Sequence, residues 1–277
     1  MKNFLVTGGE GFIGSRIVEL TGAKSYDLKS GRDILDTQNL SEACSAIEGI
    51  FHCAAKISVP ESIEKPDEYY LHNVEGTKSV THVAEKGGRK IIFSSSAAVY
   101  GESNHSVTES DSLQPLSPYA QNKADGEILL KSASAPSVVL RYFNVYWPGQ
   151  SAAYAGVITA FILAARKNED LLIFGDGEQV RDFVFVDDVA RANIAAMSSD
   201  LGSAEIFNIG SGTKTSVGEL AQQIISLTGS SSKIRHESPR LGDIVYSQAD
   251  VSKAAEMLKW RAETSLEEGL RQTIASF

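Results

Sequence analysis

Short apolar runs recur along the chain, and between them hydrophobic residues fall at helical spacing. Phe4-Leu5-Val6, Ile50-Phe51-His52-Cys53, Lys90-Ile91-Ile92-Phe93, Val138-Val139-Leu140, Leu171-Leu172-Ile173-Phe174 and Ile206-Phe207-Asn208-Ile209 read as strands. Helical segments lie around 12–20, 38–47, 73–86, 119–132, 156–166, 187–197, 216–227 and 251–258. Strands alternating with helices predict an α/β fold, a doubly wound parallel sheet with helices on both faces. After about residue 145 the texture changes. Trp147-Pro148-Gly149, Gly175-Asp176-Gly177 and Pro239-Arg240-Leu241-Gly242-Asp243 stand between shorter elements, which suits a smaller mixed α/β lobe. The expected division is 1–147 with 181–212 for the sheet domain, and 148–180 with 213–277 for the lobe.

The first strand runs straight into Thr7-Gly8-Gly9-Glu10-Gly11-Phe12-Ile13-Gly14. Gly8 permits a tight turn, Gly11 lets backbone N–H groups approach a pyrophosphate, and Gly14 lets the helix pack closely on the strand. The free N–H groups and positive dipole end of that helix favour an anion. Asp27 follows about 20 residues later, where a Rossmann unit places an acid on the adenosine ribose. A carboxylate there accepts from a 2′-OH and repels a 2′-phosphate, favouring NAD over NADP, with Lys29 and Arg32 moderating the preference. The short stretch between Gly14 and Asp27 predicts a trimmed first helix and second strand.

A formal charge of −9 argues against nucleic acid as the main partner. No apolar stretch is long enough to span a bilayer, and the opening apolar run leads to the glycine loop instead of a cleavage site, so the expectation is a cytoplasmic protein without a membrane partner. Cys44 and Cys53 have no metal or redox spacing, and the five histidines show no ligand pairing, so no metal is expected.

Ile92-Phe93-Ser94-Ser95-Ser96 reads as a strand ending in hydroxyls, at the edge where open α/β sheets bind ligands. Downstream, Ser117-Pro118 opens a helix on which Tyr119 and Lys123 are four apart and share a face. A phenol titrates near ~10, but a neighbouring ammonium and a cationic nicotinamide ring both favour its phenolate. Tyr119 is thus a candidate base, with Ser96 on the same substrate oxygen. Singly these are a common helical pair and an ordinary strand end; with the glycine loop they become a candidate catalytic set.

In these motifs the chain resembles the extended short-chain dehydrogenase/reductases, and within them the NAD-dependent nucleotide-sugar epimerase/dehydratase family, nearest the UDP-glucose 4-epimerases. Matching segments run almost end to end, among them Thr7 to Ser15, Asn73 to Thr77, Ser94 to Gly101, Tyr119 to Lys123, Arg141 to Pro148, Arg181 to Asp188 and Arg240 to Asp243. The resemblance implies that Gly8, Gly11, Phe12 and Ile13 form the pyrophosphate loop, that Asp27 is the ribose acid, and that Asp33 and Ile34 meet adenine. It implies that Ala54, Ala55, Asn73 and Ser94 line the cofactor, that Tyr142 and Phe143 border the nicotinamide, and that Lys123 also holds the nicotinamide ribose. Ser96 and Tyr119 then touch the sugar, while Asn144, Arg181, Arg240 and Asp243 hold the diphosphate and nucleoside. Guanidinium groups from separate loops suit a diphosphate in an acidic protein, the competing reading for each being a surface ion pair. The family often forms homodimers through two helices per subunit, matched here by 73–86 and 119–132, although Ala84, Leu129 and Leu130 also suit an internal core. Departures fall at Trp147, where the family commonly has glycine, at Cys53, where a larger apolar residue is frequent, and at Lys56.

Sugar-dehydrating relatives carry an Asp-Glu pair where Ala97 and Ala98 stand, because moving a C5 proton and a C6 hydroxyl needs extra acid and base groups. Two alanines transfer no protons, which argues against dehydration and weakens decarboxylation. The expected reaction is 4-epimerisation of a UDP-hexose of the UDP-glucose/UDP-galactose type, through a 4-keto sugar. The alternatives are a 4-ketoreductase using NAD(P)H, or a 4-epimerase for UDP-glucuronate, a UDP-N-acetylhexosamine or a UDP-pentose. A nucleotide sensor without chemistry is a further class, disfavoured by the intact Tyr119–Lys123 pair.

Overall fold

The computed structural model describes residues 3–147, 156–202, 204–239 and 244–277. The chain begins with β1 (Phe4–Thr7), α1 (Phe12–Thr21), β2 (Lys24–Tyr26), α2 (Thr37–Ala43) and β3 (Gly49–His52). Then come α3 (Val59–Glu64), α4 (Pro66–Tyr70), a π-turn at Leu71–Glu75, α5 (Gly76–Gly87), β4 (Lys90–Ser96), α6 (Pro118–Ser132) and β5 (Ser137–Tyr142). The second half holds β6 (Asn144–Tyr146), α7 (Val157–Arg166), β7 (Leu171–Phe174), β8 (Val180–Arg181), β9 (Phe183–Phe185), α8 (Val186–Ser198) and β10 (Glu205–Ile209). It closes with β11 (Thr215–Ser216), α9 (Val217–Thr228), β12 (Ile234–Glu237), β13 (Tyr246–Ser247), a π-turn at Ala254–Leu258 and α10 (Leu266–Ala275).

Six of these strands form one sheet in the order β10-β5-β4-β3-β1-β2, and every pairing in it is parallel. Parallel strands need crossovers, so the sheet is covered on both faces and its strands read as apolar runs. Their side chains alternate between two cores. Val6, Phe51, Ile92, Val138 and Leu140 pack with Ile17 of α1 and with Val189 and Ala192 of α8. Leu5, Ile50, Ile91, Phe93 and Val139 pack with Leu40 of α2, Val80 and Val83 of α5, and Leu130 of α6. Each fully buried residue of this kind contributes about 1.5–3 kcal/mol of transfer free energy. Strand order reverses between β1 and β3, so their carboxyl ends open a crevice there.

The second lobe is built on Ile158, Phe161 and Ile162 of α7, Leu220 and Ile224 of α9, and Leu270 of α10, with Phe183 and Phe185 joining from β9. The run at 171–174 belongs here and not to the main sheet: β7 pairs in parallel with β12. Its burial alternates, with Leu172 facing solvent, which marks a half-buried strand. Ala254, Leu258 and Trp260, expected in the lobe, pack beneath the main sheet, so the C-terminal segment serves both halves. The helix expected over 251–258 is mostly a π-turn. α3, α4 and α10 were not among the expected helices; α3 is nonetheless capped by Ser58 with a proline in its first turn, and α4 begins at Pro66. No helix among the described residues is long and apolar enough to cross a membrane.

Candidate active site

β1 delivers the chain into the glycine loop at the switch point. Gly8 has φ +71°, and its N–H donates to the Tyr26 carbonyl at 2.9 Å; a Cβ there would lie 2.7 Å from the Ala54 nitrogen. A Cβ on Gly14 would sit 2.1 Å from the Gly8 carbonyl oxygen, so α1 can start this close to β1 only with glycine at that position. α1 has Gly11 as its N-cap, no side-chain cap and no acid in its first turn, which leaves its dipole end available to an anion. Phe12 and Ile13 are its first two residues.

A cleft of about 240 Å³ opens beside this turn, lined by Gly8, Gly11, Asp27, Asp33, Ile34, Cys53, Ala54, Ala55 and Lys56 among others. Asp27 is buried, its carboxylate accepting from the N–H groups of Glu10 and Lys29, both at 2.9 Å. Asp33 accepts from the Leu35 N–H at 2.9 Å. Asn73 lies in the π-turn before α5; its amide accepts from the Lys56 N–H at 2.8 Å and donates to the Lys56 carbonyl at 2.9 Å, fastening the wall after β3. The Lys56 side chain pairs with Glu68 and lies 5.6 Å from the Tyr69 ring centre. A pyrophosphate-ready helix end, a buried acid one strand away and an apolar Ala54-Ala55 wall fit a dinucleotide such as NAD.

Towards β4 the candidate catalytic side chains come together. The Lys123 Nζ donates to the Ser94 carbonyl at 2.7 Å and lies 5.9 Å from the Tyr119 ring centre. Burial lowers Lys123 to about 8, opposed by Cys53 and Glu127. Burial raises the Tyr119 phenol above its ordinary value, and the neighbouring Ser96 side chain opposes that shift only in part. The Ser96 Oγ also accepts from the Ala98 N–H at 3.2 Å and caps the 3-10 turn Ala97–Tyr100. The Ser94 hydroxyl meets the Cys53 thiol at 3.3 Å and the Tyr142 hydroxyl at 3.2 Å. Tyr142 donates to Asn193 at 3.0 Å, and Phe143 lies buried against Tyr100. Burial raises the Cys53 thiol to about 11, so it is uncharged at neutral pH.

Across the crevice, the Asn144 amide donates to the Asp182 carbonyl at 3.2 Å, and Arg181 donates to the Val180 carbonyl at 3.0 Å, both half-exposed. Arg240 and Asp243 lie outside the described residues. Trp147 packs edge-on against Phe185, ring centres 5.1 Å apart, beneath the Arg16 guanidinium at 5.7 Å. Arg16 in turn donates to both Asp187 oxygens at 2.7 and 2.8 Å, joining α1 to α8.

Several buried groups near the site escape a reading of the sequence. Glu127 accepts from Ser95 at 2.5 Å and from Arg141 at 3.0 and 2.6 Å; Arg141 donates to the Tyr100 hydroxyl at 2.8 Å, which donates to Asn208 at 2.6 Å. The signal for it was a charge inside an apolar run, Arg141 between Leu140 and Tyr142. His52, also buried, accepts from the Thr7 hydroxyl at 2.7 Å and donates to Thr77 at 3.0 Å. The Thr77 hydroxyl donates to the Asn73 carbonyl at 2.6 Å, which leaves it an acceptor for His52 and so places the imidazole proton on Nε2.

The sequence profile described as the NAD dependent epimerase/dehydratase family matches residues 4–210. A UDP-N-acetyl-alpha-D-glucosaminuronate decarboxylase of Bacillus cytotoxicus is 35% identical, over 100% of this chain and 98% of that protein. A UDP-glucose 4-epimerase of Mycolicibacterium smegmatis is 35% identical, over 99% of this chain and 97% of its own length. Among solved structures, the Thermotoga maritima UDP-glucose 4-epimerase with UDP-glucose superposes with a TM-score of 0.92 at 36% identity, covering 99% of this chain and 98% of that one.

Proposed function

This chain belongs to the NAD-dependent epimerase/dehydratase family, and from that premise we propose that it is a nucleotide-sugar 4-epimerase of the UDP-glucose/UDP-galactose type. The observation that carries the proposal is the meeting of Tyr119 and Lys123 on α6 with Ser96 at the end of β4, beside the dinucleotide cleft and ahead of a 3-10 turn whose Ala97 and Ala98 supply no further acid or base.

When bound, NAD supplies a two-electron acceptor and donor at sugar C4. Gly8, Gly11, Phe12 and Ile13 hold its pyrophosphate, Asp27 its adenosine ribose, and Asp33 and Ile34 its adenine edge. Ala54, Ala55, Asn73, Ser94, Tyr142 and Phe143 form the rest of its wall, and Lys123 holds the nicotinamide ribose. Tyr119 takes the C4 hydroxyl proton on the outward half-reaction and returns it on the inward one, with Ser96 bonded to the same oxygen. Burial holds the phenol high, and the Lys123 ammonium on the same face of α6 favours its phenolate, as a cationic nicotinamide ring would when bound. The 4-keto sugar turns about its link to a nucleoside diphosphate held by Asn144, Arg181, Arg240 and Asp243, presenting its other face, and C4 inverts.

The cofactor half is proposed to comprise 1–147 and 181–212, and the sugar half 148–180 and 213–277, with Ala254, Leu258 and Trp260 of the latter reaching back beneath the main sheet. A homodimer is proposed as well. Ala84 and Leu130 are internal, but Ile128 on α6 is 60% exposed, and Tyr70 and Leu71 are exposed too, which supplies apolar surface for a second copy. The test of the chemistry is Tyr119→Phe. It is expected to leave fold and NAD content unchanged while turnover falls at least ~100-fold, the scale of one proton-transfer catalyst; full turnover in this variant would sink the assignment.

A further inference from the structure

Three successive serines at the end of β4 meet three residues spaced one turn apart on α6. The Ser96 side chain neighbours Tyr119, the Ser94 carbonyl accepts from Lys123 at 2.7 Å, and Ser95 donates to Glu127 at 2.5 Å. The first two contacts involve the candidate catalytic pair. The third is buried away from the cleft, and its carboxylate is gripped from the far side by both arms of Arg141. Arg141 stands on β5, whose register places it opposite Ser95.

We propose that Glu127 is a positioning residue for the Tyr119–Lys123 pair: it locks the register of α6 against β4 through Ser95 and Arg141, and it supplies the negative charge that keeps Lys123 cationic. The inference deepens the proposed function and rests on its assignment of Lys123.

The surroundings of the Lys123 ammonium single Glu127 out. From α6 it faces Tyr119 and Glu127, from β3 His52 and Cys53, from β4 the Phe93 ring and the Ser94 carbonyl, and from β5 Tyr142, through Ser94, with Arg141 beyond Glu127. His52 is held neutral, lowered to about 3 by burial and then by Lys123; Cys53 is a thiol; burial raises both tyrosines. Glu127, in its ion pair with Arg141, is therefore the carboxylate in this set. Buried charges persist where a partner and hydrogen bonds hold them, and Glu127 has an ion-pair partner and a hydroxyl donor.

The test reads Lys123 directly, without sugar or turnover. Protein carrying 13Cε-lysine is titrated by NMR, with the Lys123 signal assigned by its absence in Lys123→Arg. In wild type the midpoint should lie near 8. In Glu127→Gln/Arg141→Gln, which removes both charges and strands neither, it should fall by about half a pH unit, because losing the nearer opposite charge is partly offset by losing the more distant like charge. Glu127→Asp keeps the charge but draws it back, and its midpoint should fall between the two. This variant decides the matter if the double variant does not fold. A midpoint that stays within about 0.2 units of wild type in every folded variant overturns the proposal and leaves Glu127 a purely structural partner of Arg141. A moved midpoint in a protein inactive on every nucleotide sugar supports the positioning role and counts against the proposed reaction instead.

Discussion

Replacing Gly14 with alanine sets two effects of opposite sign against each other. Gly14 lies in the first turn of α1, and by intrinsic propensity alanine should stabilise that helix by up to about 1 kcal/mol. The added methyl would stand 2.1 Å from the Gly8 carbonyl oxygen and 2.8 Å from its carbon, far inside contact distance, and both are backbone atoms that no rotamer change can move away. Relief requires shifting the turn that carries Gly8, itself backed by the Ala54 nitrogen. Overpacking of that kind costs about 1–3 kcal/mol, so the net expectation is a loss of roughly 1–2 kcal/mol. In a chain of this size that is a fall of about 2–8 °C in Tm, measured on cofactor-stripped protein by circular dichroism. The displaced turn is also the proposed pyrophosphate seat, so NAD affinity should drop by at least ~10-fold, about 1.4 kcal/mol, read by calorimetric titration. A Tm equal to or above wild type, with undiminished NAD affinity, would refute the close-approach argument.

Other perturbations reach the framework around the site. Because burial holds His52 at about 3 when folded, the unfolded chain binds one more proton between that value and the ordinary histidine range. Its contribution is therefore fully present above about pH 6.5 and is lost as pH falls, with a slope approaching ~1.4 kcal/mol per unit; His52→Gln should flatten that part of a urea-melt pH series. Asp188 is wholly buried at the start of α8, pairs with Arg191, and accepts from the N–H groups of Glu263 at 2.8 Å and Thr264 at 3.1 Å. Asp188→Ala strands both donors, so stability should fall by about 3 kcal/mol, and hydrogen exchange should speed up first in the segment leading to α10. Unchanged protection there would show that Trp260 and the core beneath the sheet hold the segment unaided.

What the sequence made legible follows from which interactions are local. β1, α1 and the glycine turn could be read residue by residue, since Gly8 with its positive φ and Gly14 with its close approach to the Gly8 carbonyl are demanded by backbone geometry within one unit of chain. The Tyr119–Lys123 pair was visible for the same reason, one helical turn linking the two. Leu171–Phe174 was recognisable as a strand, but an apolar run carries no mark of the partner it will choose, and this one pairs with Ile234–Glu237 in the lobe. α3 and α4 lack an apolar stripe, with Ile63 and Tyr70 left exposed, so periodicity gave no sign of them. Glu127 stood unnoticed because, met alone, it reads as a surface charge, and it meets Arg141, a charge inside an apolar run, only when β5 pairs with β4 and α6 packs over them. Trp147 was a departure whose consequence depends on Phe185 and Arg16, both distant in sequence.

The most direct test of the proposed reaction is to incubate the purified protein with UDP-galactose, adding no cofactor, and to quantify UDP-glucose by chromatography. The account predicts conversion towards the equilibrium mixture without consumption of any added reductant. Absence of conversion in protein whose NAD content has been confirmed would contradict it.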